Sequence, residues 1–221
     1  MADSTFPFDQ LDTCDLLVGA VYETGPGGSI GEEPLNKLLR CGNMGGFRIR
    51  GGAGDRYRLV ALYTTFDDPD WPDALDTGTS RFVYFGDNKE PGRALHDTPK
   101  GGNELLRRCF DWIHIAPPTR QSVPPFFVFS KVGRSRDVRF HGLAAPGAPR
   151  LGETEDLVAI WKTKGRTRFQ NYRATFTILD APRIPRAWIE ELVEGHDSGS
   201  HTPEAWREWV SAGIHRPLPP S

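Results

Sequence analysis

The run Phe169-Gln170-Asn171-Tyr172-Arg173-Ala174-Thr175-Phe176-Thr177-Ile178-Leu179 decides how this chain is expected to fold. Successive side chains of a strand point to opposite faces. Phe169, Asn171, Arg173, Thr175 and Thr177 therefore share one side, and Tyr172, Ala174, Phe176 and Ile178 the other. A strand of this length with one polar face suits a curved or barrel-like sheet. Further runs rich in β-branched and aromatic residues occupy 16–22, 58–65, 81–85, 126–130, 138–143 and 157–162, bounded by Gly, Pro and Asp. Helices are fewer. Pro34 opens one over 35–39, with Glu32 and Glu33 near its positive end. Residues 103–114 carry Leu105, Leu106, Cys109, Phe110 and Ile113 at helical spacing. A third helix, 185–194, stops at Gly195; Thr202 then caps a fourth that Pro203 opens and Gly213 closes. Trp188, Trp206 and Trp209 are expected to clamp this helical pair, 185–213, onto the sheet, and the tail 216–221 to fray. The expectation is one α+β domain over 1–221: a curved, barrel-like, mostly antiparallel sheet with a few flanking helices.

Bulk properties narrow the function. The 27 Lys and Arg against 29 Asp and Glu leave a formal net charge of -2. That balance excludes an indiscriminate polyanion binder, so any nucleic-acid contact must be local. Cys14, Cys41 and Cys109 are odd in number and scattered, which excludes a complete disulfide framework and suits a reduced, cytoplasmic setting. The opening Met1-Ala2-Asp3-Ser4 has neither the basic nor the apolar part of a signal peptide. No apolar run approaches the ~18 residues of a membrane span. No Gly-x-Ser-x-Gly elbow occurs, and the glycine-rich 25–31 lacks the Gly-Lys-Ser/Thr ending of a phosphate loop. His114 and His141 lie in apolar surroundings and read as hydrogen-bonded core residues. Glu155 and Asp156 followed by Lys162 and Lys164 form only half of a metal-dependent nuclease cluster. The acids at 67, 68, 70, 73 and 76 lack the glycine turn and closing Glu of a calcium loop. No catalytic residue, metal site or cofactor is assigned.

Three stretches carry the binding chemistry. Asp70-Trp71-Pro72-Asp73-Ala74-Leu75-Asp76, followed by Arg81-Phe82-Val83-Tyr84-Phe85-Gly86-Asp87, sets a carboxylate between two large aromatic rings. A nucleobase needs such a site, since stacking contributes ~1–3 kcal/mol per base and an Asp accepts from the exocyclic amine of cytosine. The same residues are also good turn chemistry, with Pro presetting φ and Asp bonding its own backbone. Second, Lys131, Arg134, Arg136 and Arg139 surround Gly133, while Lys162, Lys164, Arg166 and Arg168 surround Gly165. Two such hairpins form either a stripe that tracks phosphates or merely solvated tips. Third, Gly42-Asn43-Met44-Gly45-Gly46-Phe47-Arg48 is either a loop tipped by an apolar wedge or a plain turn after a helix.

These stretches, with His96-Asp97-Thr98-Pro99, Pro125-Phe126-Phe127-Val128-Phe129 and Arg168-Phe169-Gln170-Asn171-Tyr172-Arg173-Ala174, resemble one family in order and number. The chain is similar over nearly its whole length to the N-terminal SRA-like domain of the AspBHI/MspJI group of modification-dependent restriction endonucleases. The resemblance implies an SRA/PUA-like barrel that flips 5-methylcytosine out of duplex DNA into a pocket. By position, Asp73 would read the Watson–Crick edge, with Asp76 its rival, and Tyr84 would stack on one face. Trp71 would form the opposite wall, with Tyr63 and Phe66 as rivals. Asn43, Met44 and Arg48 would belong to the loop entering the duplex, and Lys131, Arg134, Arg136, Lys162, Lys164 and Arg166 would contact phosphates. Those enzymes carry a separate nuclease domain that this chain lacks, so recognition without cleavage is the expected activity. A modification-dependent endonuclease, an RNA-binding PUA-like module and a small-ligand barrel are the alternatives.

Overall fold

The long alternating run is one strand, β11 (Thr167–Ile178), in a computed structural model that describes residues 4–51, 56–115, 117–133, 135–196 and 199–220. Before it in the chain come β1 (Thr5–Phe6), β2 (Leu16–Leu17), β3 (Val21–Tyr22), α1 (Pro34–Leu39), β4 (Phe47–Gly51), β5 (Tyr57–Thr64), β6 (Ala74–Asp76) and β7 (Arg81–Phe85). Then follow α2 (Gly102–His114), β8 (Phe126–Lys131), β9 (Val138–Pro146), α3 (Glu153–Asp156) and β10 (Leu157–Lys164). After β11 come β12 (Arg183–Ile184), α4 (Arg186–Glu194) and α5 (Glu204–Ala212). Run 16–22 divides between two short strands, because Gly19 turns the chain at φ 86°.

β11 changes partners along its length. One edge pairs first with β10, from Thr167↔Lys164 to Ala174↔Leu157, and then with β9 over Phe176–Ile178. Its other edge pairs with β7, Tyr84 facing Ala174. The main path runs β4-β5-β8-β9-β11-β7-β6, and β2 pairs with β12 in a small separate sheet. β5 and β8 run parallel, as do β1 and β3, among otherwise antiparallel pairs. The barrel expectation is therefore corrected: the sheet is mixed and open. Its path ends at β4 and β6, which are not paired to each other among the described residues. Alternation along β11 reports that its two faces differ, whereas closure depends on where the distant ends of the path meet.

The face of β11 expected to be apolar is buried, and Phe176 sits at its centre. Its ring lies 5.0 Å from Phe126, 5.6 Å from Phe110 of α2 and 6.5 Å from Phe82. The opposite face is also largely covered: Phe169, Asn171, Thr175 and Thr177 are buried, and Arg173 remains exposed. Buried polar groups need partners, and Thr177 donates to the Gly147 carbonyl at 2.9 Å.

Of the C-terminal helices α4 packs on the sheet, Trp188 against Phe127 of β8 at 5.9 Å, while within α5 Trp206 and Trp209 lie against each other at 4.9 Å. Gly195 ends α4 at φ 94°. Thr202 does not cap α5; Pro203 holds the N-cap position, and the Thr202 hydroxyl donates to Gly199 at 2.9 Å. Nor do the described residues of the tail, 216–220, fray. The Leu218 amide donates to Ile178 at 2.9 Å, and Ser80 donates to the Leu218 carbonyl at 2.5 Å. Trp188 is fully buried, so Trp188→Ala is expected to cost about 3–5 kcal/mol. For a chain of this size the melting temperature should fall roughly 2–4 °C per kcal/mol. Replacing Trp161, exposed on β10, should shift stability by no more than about 0.5 kcal/mol. Calorimetry of the two variants checks the contrast.

Candidate functional site

A cavity of about 530 Å³ opens where the end of β5, the end of β7 and the loop entering β4 converge. Residues 43–48, 63–65 and 84–87 form most of its lining, joined by Ile30, Asp68, Asp73, Lys89, Lys100 and Arg136. Tyr84 is placed by the β7–β11 register. Its ring meets Phe47 edge-on at 5.2 Å, and its hydroxyl donates to the Tyr63 carbonyl at 3.1 Å. Burial pushes this phenol well above the usual tyrosine range. Gly46 is required beside it, because a Cβ there would run into the Tyr84 hydroxyl.

Asp73 arrives on a loop built by local turns. Phe66 takes the left-handed region at φ 58° and donates its amide to Thr64 Oγ1 at 3.0 Å, turning the chain out of β5. Asp68 Oδ1 then accepts the amides of Asp70 and Trp71, each at 3.1 Å. Asp73 ends the loop with Oδ1 accepting the Phe85 amide at 2.8 Å. Burial pushes its carboxyl up to about 6, and the Phe85 amide, the Thr64 hydroxyl and Lys89 oppose that rise.

Tyr63 supplies a second ring. The Arg48 guanidinium lies 4.4 Å from its centroid, a favourable cation–π arrangement. Arg48 also pairs with Glu33 and donates to Gly45 at 3.1 Å. Glu33 in turn accepts the Asn36 amide of α1 at 3.3 Å, and burial holds its carboxyl above the usual range despite Arg48.

The segment 86–88 is fixed by two buried asparagines. Asn171 Oδ1 accepts the amides of Tyr172 and Asn88 at 3.0 and 3.2 Å, and its Nδ2 donates to Gly86 at 2.9 Å. Asn103 Oδ1 accepts the Asp87 amide at 3.1 Å, while the Asp87 carboxylate caps α2 through the amides of Gly102 and Asn103. A Cβ on Gly86 would collide with both asparagine side chains.

The structure thus brings Asp73, Tyr84, Asn43, Met44, Arg48 and Arg136 to one cavity and sends other expected residues elsewhere. Trp71 does not form a wall. It is 3% exposed in a satellite cluster with Phe85 at 5.7 Å and Phe169 at 6.0 Å, under the Lys162 ammonium. The Asp68 turn tucks it against the sheet; Tyr63, one of its rivals, lines the cavity. Phe66 packs on Phe82 and His141 instead of lining the cavity. Asp76 lies outside too. Its oxygens accept the Thr79 hydroxyl at 2.7 Å and the Gly78 amide at 2.9 Å, which holds its carboxyl below the usual range. In the loop before β4, Met44 is 58% exposed, whereas Arg48 is buried and committed to Glu33. Arg48 therefore lines the cavity and does not tip the loop.

Of the basic residues, Lys131 and Arg136 line a neighbouring cavity, and Arg166 is exposed at the β10–β11 turn. Lys162 pairs with Asp70 at 3.1 Å and Lys164 with Glu90 at 2.7 Å. Arg134 lies outside the described residues. Asp156 pairs with His114 at 2.8 Å, away from the two lysines once grouped with it. No cluster of three or more His, Cys, Asp or Glu suited to a metal ion occurs among the described residues. None of their helices is long and apolar enough to cross a membrane. Tyr63, Asn103 and Asn171 carry more of this site than the sequence indicated. Asn171 had one available signal: a strand-disfavoured residue set inside an otherwise β-rich run.

The Asp73 carboxyl, near 4 in an unfolded chain and about 6 here, leaves the folded state holding more protons between those values. Its contribution to stability therefore falls as pH rises from about 4 to 6. Urea denaturation should show Asp73→Asn gaining on the original chain between about pH 4.5 and about pH 7; parallel behaviour would contradict the assignment.

The sequence pattern of the family described as "Restriction endonuclease AspBHI N-terminal" matches residues 16–220. The DNA recognition domain of the cytosine modification-dependent restriction endonuclease LpnPI is 42% identical, with a TM-score of 0.92 over 99% of this chain and 97% of that one. The DNA modification-dependent restriction endonuclease AspBHI is 47% identical, with a TM-score of 0.91 over 98% of this chain and 99% of that one. The MspJI restriction endonuclease, solved in complex with a 27-mer oligonucleotide, is 22% identical. Its TM-score is 0.57 over 80% of this chain and 44% of that one, a likeness of fold alone. No curated protein sequence matches. The match over 16–220 and the two full-length likenesses place the chain in the restriction endonuclease AspBHI N-terminal family.

Proposed function

We propose that this chain is a DNA-recognition module that binds 5-methylcytosine in duplex DNA by drawing the base into the 530 Å³ cavity, and that it performs no cleavage itself. The observation that carries the reading is the meeting of Asp73 and Tyr84 in one cavity, with Tyr63 on its lining. The volume lies within the ~300–1,000 Å³ usual for small-ligand pockets. One Asp73 oxygen is held by the Phe85 amide, which orients the carboxylate to accept from the cytosine amine. Thymine bears the same methyl group but places O4 there, so that acceptor would face another. Tyr63, backed by Arg48, and Tyr84 offer rings to the base. Stacking of ~1–3 kcal/mol per base offsets the few kcal/mol of extrusion.

Met44, with Asn43 beside it, is the apolar tip that fills the vacated space in the duplex, as wedges do in other proteins. Lys131, Arg136 and Arg166 contact the backbone; Lys162 and Lys164, already paired with carboxylates, contribute less. The protein works on DNA in the cytoplasm. The recognition domain of LpnPI, described as cytosine modification-dependent, supports this reading through family membership.

Fluorescence anisotropy with matched duplexes tests it. A methyl group in a fitted pocket discriminates by about 1–3 kcal/mol, so the modified duplex should bind roughly 10-fold tighter or more. Asp73→Ala should bring the two affinities together, and Tyr63→Ala should weaken binding of the modified duplex by about 1–3 kcal/mol. Salt-dependent background binding should survive both changes. Equal affinity of the unaltered chain for the two duplexes would refute the proposal.

A further inference from the structure

A second cavity, of about 440 Å³, adjoins the first at Tyr63 and is lined by Gly28, Tyr63, Thr65, Lys131, Ser135 and Arg136. Tyr63, Thr65 and Arg136 line both cavities. The residues that flank Arg136 before β9 are anchored. Val132 donates to Asp137 at 2.9 Å, the Thr24 amide donates to Asp137 Oδ1 at 2.8 Å, and Ser135 donates to Thr24 Oγ1 at 3.1 Å. Lys131 ends β8 opposite Val138, so both cations stand on a fixed frame.

Charge pairing distinguishes these two cations from several of their neighbours. In the larger cavity Arg48 is held by Glu33, and Lys89 by Asp68 at 2.9 Å. On the β10–β11 hairpin Lys162 and Lys164 are held by Asp70 and Glu90. Lys131 and Arg136 have no carboxylate partner among the described residues, and no acid lines their cavity. Two anchored, unneutralised cations beside a hydroxyl, around an empty space, suit an anion. A phosphodiester fits best, since a guanidinium grips two phosphate oxygens at once while an ammonium acts as a point charge.

We propose that the smaller cavity is a phosphate subsite: it holds the DNA backbone phosphate adjoining the nucleotide whose base fills the larger cavity. Lys131 and Arg136 are its cations and the Thr65 hydroxyl its neutral donor. The proposal rests on the base-extrusion reading above. A base cannot swing out without its sugar and phosphate following, and Arg136 lines both cavities. Fixing this phosphate sets register without reading sequence.

The test uses duplexes with one 5-methylcytosine and a single neutral methylphosphonate, either on the phosphate 5′ or 3′ to it or several nucleotides away. The unaltered chain should lose about fivefold or more in affinity at one flanking position only. The double variant Lys131→Gln/Arg136→Gln should be indifferent to that substitution. Its slope of log K against log salt should be shallower by about one per cation removed. If the neutral phosphate weakens parent and variant equally, or weakens neither, the subsite is overturned while the base reading stands. A parent chain with no preference for modified DNA sinks the base reading instead.

Discussion

The hydrogen bond from the Phe85 amide to Asp73 Oδ1, 2.8 Å long, is the contact on which the site depends. It joins a loop closed by its own turns to the end of a sheet strand, and so sets a carboxylate beside Tyr84. The amide comes from the residue after Tyr84, so ring and acid are located by one stretch of backbone. Burying a carboxylate is costly unless hydrogen bonds compensate. Here the compensation is incomplete, and the carboxyl titrates near 6. A group held in this way gains most when a ligand supplies the missing donor, as the amine of the proposed cytosine would.

The strand end is held in turn by buried amides. Asn171 belongs to β11 and Asn103 to α2, and together they satisfy the backbone of 86–88 from two sides. The Asp87 carboxylate closes the circuit by capping α2. Half-satisfied polar networks destabilise a core, whereas satisfied ones rigidify it. Gly86 admits this arrangement because no side chain fits between the two asparagines. The part of the cavity wall at 84–87 is thus continuous with the centre of the sheet.

Much of this was legible beforehand, in a specific sense. Runs of β-branched and aromatic residues mark the longer strands, and the Pro and Gly boundaries of α1 and α4 follow from local backbone preferences. Asp73 and Tyr84 were singled out through the order of motifs around them, and the structure brings both to one cavity. What failed was non-local. Whether a sheet closes depends on strands that meet across the whole chain, and β4 and β6 do not meet among the described residues. Trp71 was assigned to the wall because it precedes Asp73, but the turn at Asp68 rotates it toward Phe169. The two basic hairpins look alike in sequence, yet acids 92 and 74 positions away pair with Lys162 and Lys164 of the second, while Lys131 and Arg136 of the first have no carboxylate partner among the described residues. Arg48 likewise gave no local sign that Glu33 would claim it.

The central claim is that a modified cytosine occupies the space between Asp73, Tyr63 and Tyr84. Carbon-13 NMR of the Asp73 side-chain carboxyl during titration with duplex DNA tests it at the atom concerned. Saturation with a 5-methylcytosine duplex should move that resonance and displace its titration away from pH about 6, while the unmodified duplex leaves both nearly unchanged. A resonance that stays put when the modified duplex is fully bound would contradict the account.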